Sequence, residues 1–463
     1  HLFVVPSHHH LTPLVQVSIP SSLYEVVQNN FHIATPTFLI TNITNKIMKH
    51  PLSLLLIYIL LSLPTMAQVR VDSLVFANDS TISVTHRHKG ELRATIDALA
   101  FFRDNEYNSK DVLKGYTLPG MWLMPTLSYQ PLSNLRIEAG AHMLHYWGAN
   151  AYPKSNYTNL ARYDAQSTTK AFHCTPVFRA NLQLNHHVNV VLGTLYGKST
   201  HQLSEPLYNS EMNISADPET GLQVLWQNAW LRFDSWVNWQ DFIFKDDDTQ
   251  ERFTFGLSAR FLPSRHAART QWYLPLQLLM QHTGGEINTT ATDRQIKTWL
   301  NAATGAGVNV PLATRLPVEL GGEVIATYYS QQKGDVLPFN KGYGIMAKAQ
   351  ARVWHFGLTM GYWQAHQFIS IFGSPLFGAM SQSTDGLTFD NPRMAFARFE
   401  FAQTLGHGFS WGIQFDYDQH WQKRVVNIKN GTHSRPSSTS DIAAGIYLRM
   451  TPSFLIKKFG AKK

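Results

Sequence analysis

The stretch Leu231 to Gln240, Leu-Arg-Phe-Asp-Ser-Trp-Val-Asn-Trp-Gln, constrains the fold more than any other part of the chain. Side chains on a β-strand alternate between two faces. Leu231, Phe233, Ser235, Val237 and Trp239 then share one face, and Arg232, Asp234, Trp236, Asn238 and Gln240 share the other. One face is oily and the other is wet and charged. In a soluble sandwich the oily face meets a second sheet. In a membrane barrel it meets lipid, and the wet face lines a hydrated lumen.

The same period recurs to the end of the chain. Sixteen alternating segments are expected, at 91–103, 118–131, 134–147, 172–184, 188–197, 219–226, 229–241, 251–262, 270–282, 296–310, 315–329, 343–354, 356–366, 393–404, 408–421 and 440–450. Most are about 9–14 residues long, near what a tilted membrane strand needs. The connectors alternate in length. Short ones such as Leu132-Ser133, Gln227-Asn228 and His355 follow the even-numbered segments. Long polar ones such as Gly148 to Ala171, Lys198 to Pro218 and Gln367 to Pro392 follow the odd-numbered segments. Sorting loops by length is a property of outer-membrane barrels, with turns periplasmic and loops outside. A sandwich gives no reason for it, and open sheets rarely pass about 10 strands without splitting or closing.

Individual strands agree. In 408–421 the outward set is Phe409, Trp411, Ile413, Phe415 and Tyr417, against Ser410, Gly412, Gln414, Asp416, Asp418 and His420. Segment 251–262 sets Phe253, Phe255, Leu257, Ala259 and Phe261 against Arg252, Thr254, Gly256, Ser258 and Arg260. Aromatics near strand ends, including Trp122, Tyr146, Trp239, Trp272, Trp354 and Trp411, suit the girdles of a membrane barrel. No run after residue 67 reaches the 18 apolar residues of a spanning helix, so a membrane crossing has to be a closed barrel. The expected fold class is all-β: a transmembrane antiparallel up-and-down β-barrel of about 16 strands, with 14 as the alternative count.

The chain opens at His1, and Met48 makes a better start. Met48-Lys49-His50 is basic, Leu52 to Leu63 is apolar, and Thr65-Met66-Ala67 precedes Gln68, which together read as a secretory signal peptide. The expected organisation is an upstream segment at 1–47, the signal peptide at 48–67, a periplasmic lead-in at 68–90, the barrel at 91–454 and a basic solvated tail at 455–463. The net charge of +8 is dispersed and gives no nucleic-acid patch. The single Cys, Cys174, allows no internal disulfide and no Cys-x-x-Cys metal pattern.

On these segments and loops the chain resembles bacterial outer-membrane β-barrels, especially porin-like proteins of Bacteroidota, in which a mature N-terminal Gln such as Gln68 is common. The resemblance covers 68–463 and rests on architecture. Phe454, Phe459 and the pairs Lys457-Lys458 and Lys462-Lys463 depart from the usual aromatic ending of the last strand. The resemblance implies an integral outer-membrane protein with both termini periplasmic. Its partners would be outer-membrane lipid and lipopolysaccharide, the barrel-assembly machinery and small hydrophilic solutes, with no cofactor, metal or nucleic acid.

The inferred lumen carries Arg93, Arg103, Arg136, Arg179, Arg232, Arg252, Arg260, Lys348, Arg352, Arg398 and Arg449, with Asp97, Glu138, Asp234, Glu319, Glu323, Glu400, Asp416 and Asp418. Rings of lumen charge set ion preference in pores. The same residues pairing across the lumen would close it. The leading expectation is a porin-like channel for small hydrophilic solutes. A structural barrel presenting its loops is the alternative, and the long loop Gln367 to Pro392 either folds inward or caps the outside. The chain is expected not to be an enzyme. The weak exception is a rim-site hydrolase built on Asp416, Asp418 and His420, which share one face and can act as general bases on water. One strand offers only one wall of such a site. His433-Ser434 and Asp246-Asp247-Asp248 lie in loops and read as solvated turns.

Overall fold

The computed structural model of the chain describes residues 71, 75–76, 82–147, 173–263, 270–285, 290, 294–312, 316–422, 425–434 and 438–460. The segments 1–47 and 48–67 lie outside the described residues.

The alternation builds a ring. The strands are β1 (Glu91–Tyr107), β2 (Tyr116–Leu132), β3 (Leu135–Tyr146), β4 (His173–Gln183), β5 (Val188–Thr194), β6 (Thr220–Gln227), β7 (Leu231–Asp241) and β8 (Arg252–Phe261). They continue as β9 (Gln271–Thr283), β10 (Lys297–Leu312), β11 (Val318–Lys333), β12 (Lys341–Val353), β13 (Phe356–His366), β14 (Pro392–Gly406), β15 (Phe409–Gln422) and β16 (Ser438–Met450). Each pairs antiparallel with the next, and β16 returns to β1, with Ala98 opposite Met450 and Tyr107 opposite Asp441. The sheet is a closed 16-strand antiparallel barrel. Closure leaves no free edge, so every wall strand can satisfy its backbone polar groups within the protein, as a bilayer demands. Among the described residues no helix is long and apolar enough to cross a membrane.

The lipid-facing parity is the expected one. Ile413, Phe415 and Tyr417 on β15, and Ile442, Ile446 and Leu448 on β16, are exposed outward. Their neighbours Asp416, Asp418, Asp441 and Arg449 are buried on the lumen side.

The C-terminal segment is exposed, as expected of a solvated tail, but its backbone is paired. Ser453–Lys458 is a strand that pairs with the first residues of β1, Thr95 opposite Ser453 and Glu91 opposite Lys458. Pro452 has no N–H to donate, so the ladder breaks there; its carbonyl still accepts from Ile96 N, 3.1 Å. The cause is length. β1 has 17 residues and β16 has 13, so the rest of β1 needs a partner, and the segment after Pro452 supplies it. Part of the lead-in enters the barrel. Val71 and Val75 are fully buried in the lumen against Leu99 and Tyr447, over the bare Cα of Gly412, which a Cβ would bring within 3.0 Å of Val71.

Candidate functional site

The long-loop half of the lumen holds an apolar core. Its wall residues are Trp236, Leu279, Trp299, Ile325, Tyr329, Met346, Trp363, Met394 and Phe396, all on the inward parity. The rings lie flat across glycines of the next strand. Gly256 faces Trp236 and Gly361 faces Phe396 in register, and a Cβ at either would come within 2.2 Å of the ring. Against this wall pack two loops. The loop after β13, the longest in the expected set with Phe372, Pro375, Phe377 and Phe389, folds inward and does not cap the outside. Phe368, Ile371, Phe377 and Phe389 are buried in the core. Asn301 of β10, itself fully buried, fixes it by donating to Ile369 O (2.8 Å) and accepting from Ile371 N (2.7 Å). Trp363 donates to Phe377 O at 3.1 Å. The loop after β5 enters beside it, carrying Leu207, Tyr208 and a single helical turn, Met212–Ser215. Trp122 and Tyr146 donate to the carbonyls of Asn213 and Ile214, at 3.1 and 3.0 Å.

The expected lumen charges are mostly paired, and the register explains how. Glu138 lies opposite Arg179, Glu323 opposite Lys348, Glu319 opposite Arg352 and Arg398 opposite Asp416 on adjacent strands. Arg179 reaches Glu138 at 2.6 Å, Arg136 reaches Glu138 at 2.9 Å and Lys348 reaches Glu323 at 2.9 Å. Arg352 pairs with Glu319, Arg93 sits 3.1 Å from Glu91, and Arg449 grips Asp97 through both ends of its fork at 2.7 and 2.9 Å. Arg252 pairs with Asp241. Arg260 lies over the Tyr273 ring, 4.5 Å from its centre. Arg232 projects into the short-turn end, and Glu400 lines the central cavity described next.

One ion network involves the residues singled out for chemistry. Asp416 takes Arg103 at 3.0 Å and Arg398 at 3.5 Å, and Asp418 takes Arg398 at 2.8 Å. Glu211, from the inserted loop, closes on Arg103 at 3.6 Å and accepts from Asn105 and Tyr116 at 2.9 and 2.5 Å. The network surrounds a cavity of about 150 Å³ that Lys348 and Glu205 also line. Its acids and bases neutralise one another, so Asp416 and Asp418 act there as counter-ions.

His420 stands apart from that network, one step nearer the rim. Its Nε2 is 3.2 Å from Asp441 Oδ2 on β16, a close ion contact without hydrogen-bond alignment. Both residues are buried. Asp441 Oδ1 accepts Ser109 N–H at 2.8 Å, and Ser109 Oγ is 2.5 Å from Thr439 Oγ1. Asp441 therefore lies between the serine and the histidine. A serine nucleophile needs histidine in that middle place, so the geometry suits a carboxylate-oriented histidine acting on water. The next residue, Trp421, is 42% exposed on the lipid side, and exposed aromatics of this kind mark the membrane interface. Of the expected trio, the fold assigns two residues to the ion network and one to this pair. Asp441, Ser109 and Thr439 went unmarked in the sequence. Asp441 has the inward parity of 440–450, and only the register with β15 places it beside His420.

A second histidine cluster is structural. His201, buried in the inserted loop, holds Asp234 at 2.7 Å through Nδ1 and Glu219 at 3.0 Å through Nε2, and stacks on Trp236 with ring centres 3.5 Å apart. Burial pushes the imidazole down, but Glu219 and Asp234 outweigh it and hold it up to about 10. Such a ring stays an imidazolium and cannot serve as a base near neutrality. Nearby Lys198, in a left-handed conformation at φ 60°, is pushed down to about 8 by burial and donates to Ala216 O at 2.7 Å.

A family model described as lipid A 3′-O-deacylase-type matches residues 84–459. No curated protein matches the chain. Among solved structures, OmpT, an outer membrane protein of Vibrio cholerae, is 7% identical over 77% of this chain and 97% of its own, with a TM-score of 0.41. OccK8 (OprE) of Pseudomonas aeruginosa is 11% identical over 80% and 100%, with a TM-score of 0.45. OccAB1 of Acinetobacter baumannii is 10% identical over 79% and 97%, with a TM-score of 0.43. The family match overturns the expectation that the chain is no enzyme, because the family is named for an enzymatic activity.

Proposed function

Since the chain belongs to the lipid A 3′-O-deacylase-type family of outer-membrane barrels, we propose that it is an outer-membrane hydrolase that cleaves an ester-linked acyl chain from a lipid A-type glycolipid. The observation that carries this reading is the His420–Asp441 contact at the long-loop rim, 3.2 Å between Nε2 and Oδ2. The ester carbonyls of a glycolipid lie where headgroup meets hydrocarbon, the depth that interfacial aromatics such as Trp421 occupy. There His420, oriented by Asp441, takes a proton from water. The water oxygen attacks the ester carbonyl, the acyl–oxygen bond breaks, and the proton passes from His420 to the departing sugar oxygen, which leaves as a hydroxyl beside the free fatty acid.

The porin-like expectation has less support. An apolar core packed by two loops occupies the long-loop half of the lumen, where a diffusion channel needs water. In this orientation the long loops face outside, and the short turns and both termini face the periplasm, as loop length suggests.

The test is mass spectrometry of lipid A from cells carrying the folded full chain. Wild type is expected to yield lipid A lighter by one acyl chain, and H420N and D441N to leave it intact. Unmodified lipid A from cells with correctly folded wild type, or a fully active H420N, overturns the assignment.

A further inference from the structure

The short-turn end of the lumen holds a cavity of about 790 Å³, within the size range of small-molecule sites. Its wall comes from β7, β8 and β9 and from the turn between β4 and β5, which contributes His186 and His187. Its inner end is closed. Gln277 of β9 holds Ser204 N–H at 3.0 Å and Gln202 O at 3.2 Å, and His201 with Asp234 seals the rest. A solute that enters from this end meets a floor, which is the geometry of a binding vestibule.

The charge of the vestibule is one-sided. Arg232 on β7 and Arg260 on β8 are register partners on the lumen face. Directly opposed like charges on adjacent strands, with Cβ atoms about 5 Å apart, destabilise a sheet. Asp234 is the one carboxylate lining the cavity, and it is consumed by His201 at 2.7 Å and Gln223 at 2.9 Å. No carboxylate among the described residues reaches Arg232, which is exposed to the cavity, whereas Arg103, Arg179, Arg352, Arg398 and Arg449 each have one. At Glu138–Arg179, Glu319–Arg352 and Asp416–Arg398 the register sets a guanidinium opposite an acid; at Arg232 it sets a second guanidinium opposite, and that one, Arg260, lies over Tyr273 within electrostatic reach of Glu323.

We propose that this vestibule binds a small phosphorylated anion, either free phosphate or a phosphate monoester, between Arg232 and Arg260. Two guanidinium forks present more N–H donors than a planar carboxylate can use, and a phosphoryl group, with three terminal oxygens, accepts from both. The anion also cancels the repulsion across the β7–β8 pair. The site lies at the opposite end of the lumen from His420 and stands or falls independently of the hydrolase assignment.

The experiment is isothermal titration calorimetry on the full chain folded in detergent micelles, with inorganic phosphate in one arm, glycerol 3-phosphate in a second and succinate in a third. Expected is saturable binding of at least one phosphoryl probe, at least tenfold weaker in R232Q and in R260Q, weaker again in the double variant, and at least tenfold weaker for succinate. The phosphoryl probe that binds tighter identifies the source. Arg232 supports no ion pair, so R232Q folds, and without anion it melts higher than wild type because the like-charge contact is gone. Superimposable titrations for wild type and the double variant, or succinate binding as tightly as phosphate, overturn the proposal.

Discussion

Replacing Arg398 by Met probes whether the central ion network holds the barrel together. Arg398 sits 2.8 Å from Asp418 and 3.5 Å from Asp416, largely shielded from solvent. At an effective dielectric of about 20 the closer contact alone is worth about 6 kcal/mol of gross attraction. The net effect is smaller because both ions were desolvated to form it. Asp416 keeps Arg103 at 3.0 Å, so the loss falls on Asp418, which is left charged, buried and without its cation. Stranding a buried charge in this way costs about 3–5 kcal/mol. Removing that charge as well, in R398M/D418N, should bring the deficit down to about 1–2 kcal/mol, the scale of an ordinary lost hydrogen bond. D418N alone should cost little, since Arg398 retains Asp416 at 3.5 Å and Glu205 at 3.7 Å. Urea unfolding in lipid vesicles, followed by tryptophan fluorescence, measures all four proteins. If R398M and R398M/D418N unfold at the same denaturant concentration, the network carries no charge-specific stability and the reasoning fails.

Excising 368–378 and closing the gap with glycines should remove the wedge under Trp363 and give ion steps in planar bilayers, and the intact chain should give none; equal conductance from both refutes the filled lumen. Trp363→Ala should cost about 3–5 kcal/mol, the usual range for emptying a buried tryptophan site, and a loss under about 1 kcal/mol would show that Phe368 and Phe377 do not pack on it as described. The His201 cluster predicts a pH dependence. Its folded pKa of about 10 lies above the ordinary 6.5, so the stabilisation is complete below pH about 6.5 and is lost as pH rises through about 10. Lys198, held down at about 8 against an ordinary 10.5, has the opposite sign: its penalty is full below pH about 8 and relieved by about 10.5. Limited proteolysis of 198–216 between pH 7 and 10.5 should therefore change in slope in H201N, and an identical profile in wild type and H201N would refute the assignment.

How much of this was legible in the sequence depends on the range of the interaction. Strand period is local, and segments such as 251–262 and 408–421 fold within a few residues of their expected limits as β8 and β15. The filling of the lumen was harder to see, although its signs were printed on the inward parity. Trp236 sits among Arg232, Asp234 and Asn238 on the wet face of β7, and Gly256 stands opposite to make room for its ring. A hydrated wall needs neither a large indole nor a glycine beneath it. Pairing of the lumen charges required the register, which period alone does not supply. A shift of two residues keeps every side chain on its face yet separates Glu323 from Lys348. The same holds for Asp441 and His420, which are 21 positions apart in sequence and meet only because β15 and β16 are aligned as they are.

Two histidines of the lumen, His201 and His420, differ in a way that fits a division between support and the proposed chemistry. His201 is clasped by two carboxylates and stacked on an indole, so it is locked as a cation and pins the inserted loop to β7. His420 has one carboxylate, at a contact distance but out of hydrogen-bond line, and its Nε2 has no hydrogen-bond partner in the structure. An imidazole fully satisfied on both nitrogens has nothing left to give a substrate, whereas one that meets a single carboxylate through Nε2 keeps its other nitrogen for a water. Between the two lies the apolar core, which removes water from the middle of the lumen and fixes the loops that carry Glu205 and Glu211. A barrel used for diffusion would gain nothing from such packing. A barrel that positions one base at the depth of an ester gains a rigid wall behind it. H201A should therefore loosen the inserted loop without abolishing deacylation, and H420A should abolish deacylation without loosening the loop. If both variants lose activity in step with loop cleavage, the separation of roles is wrong.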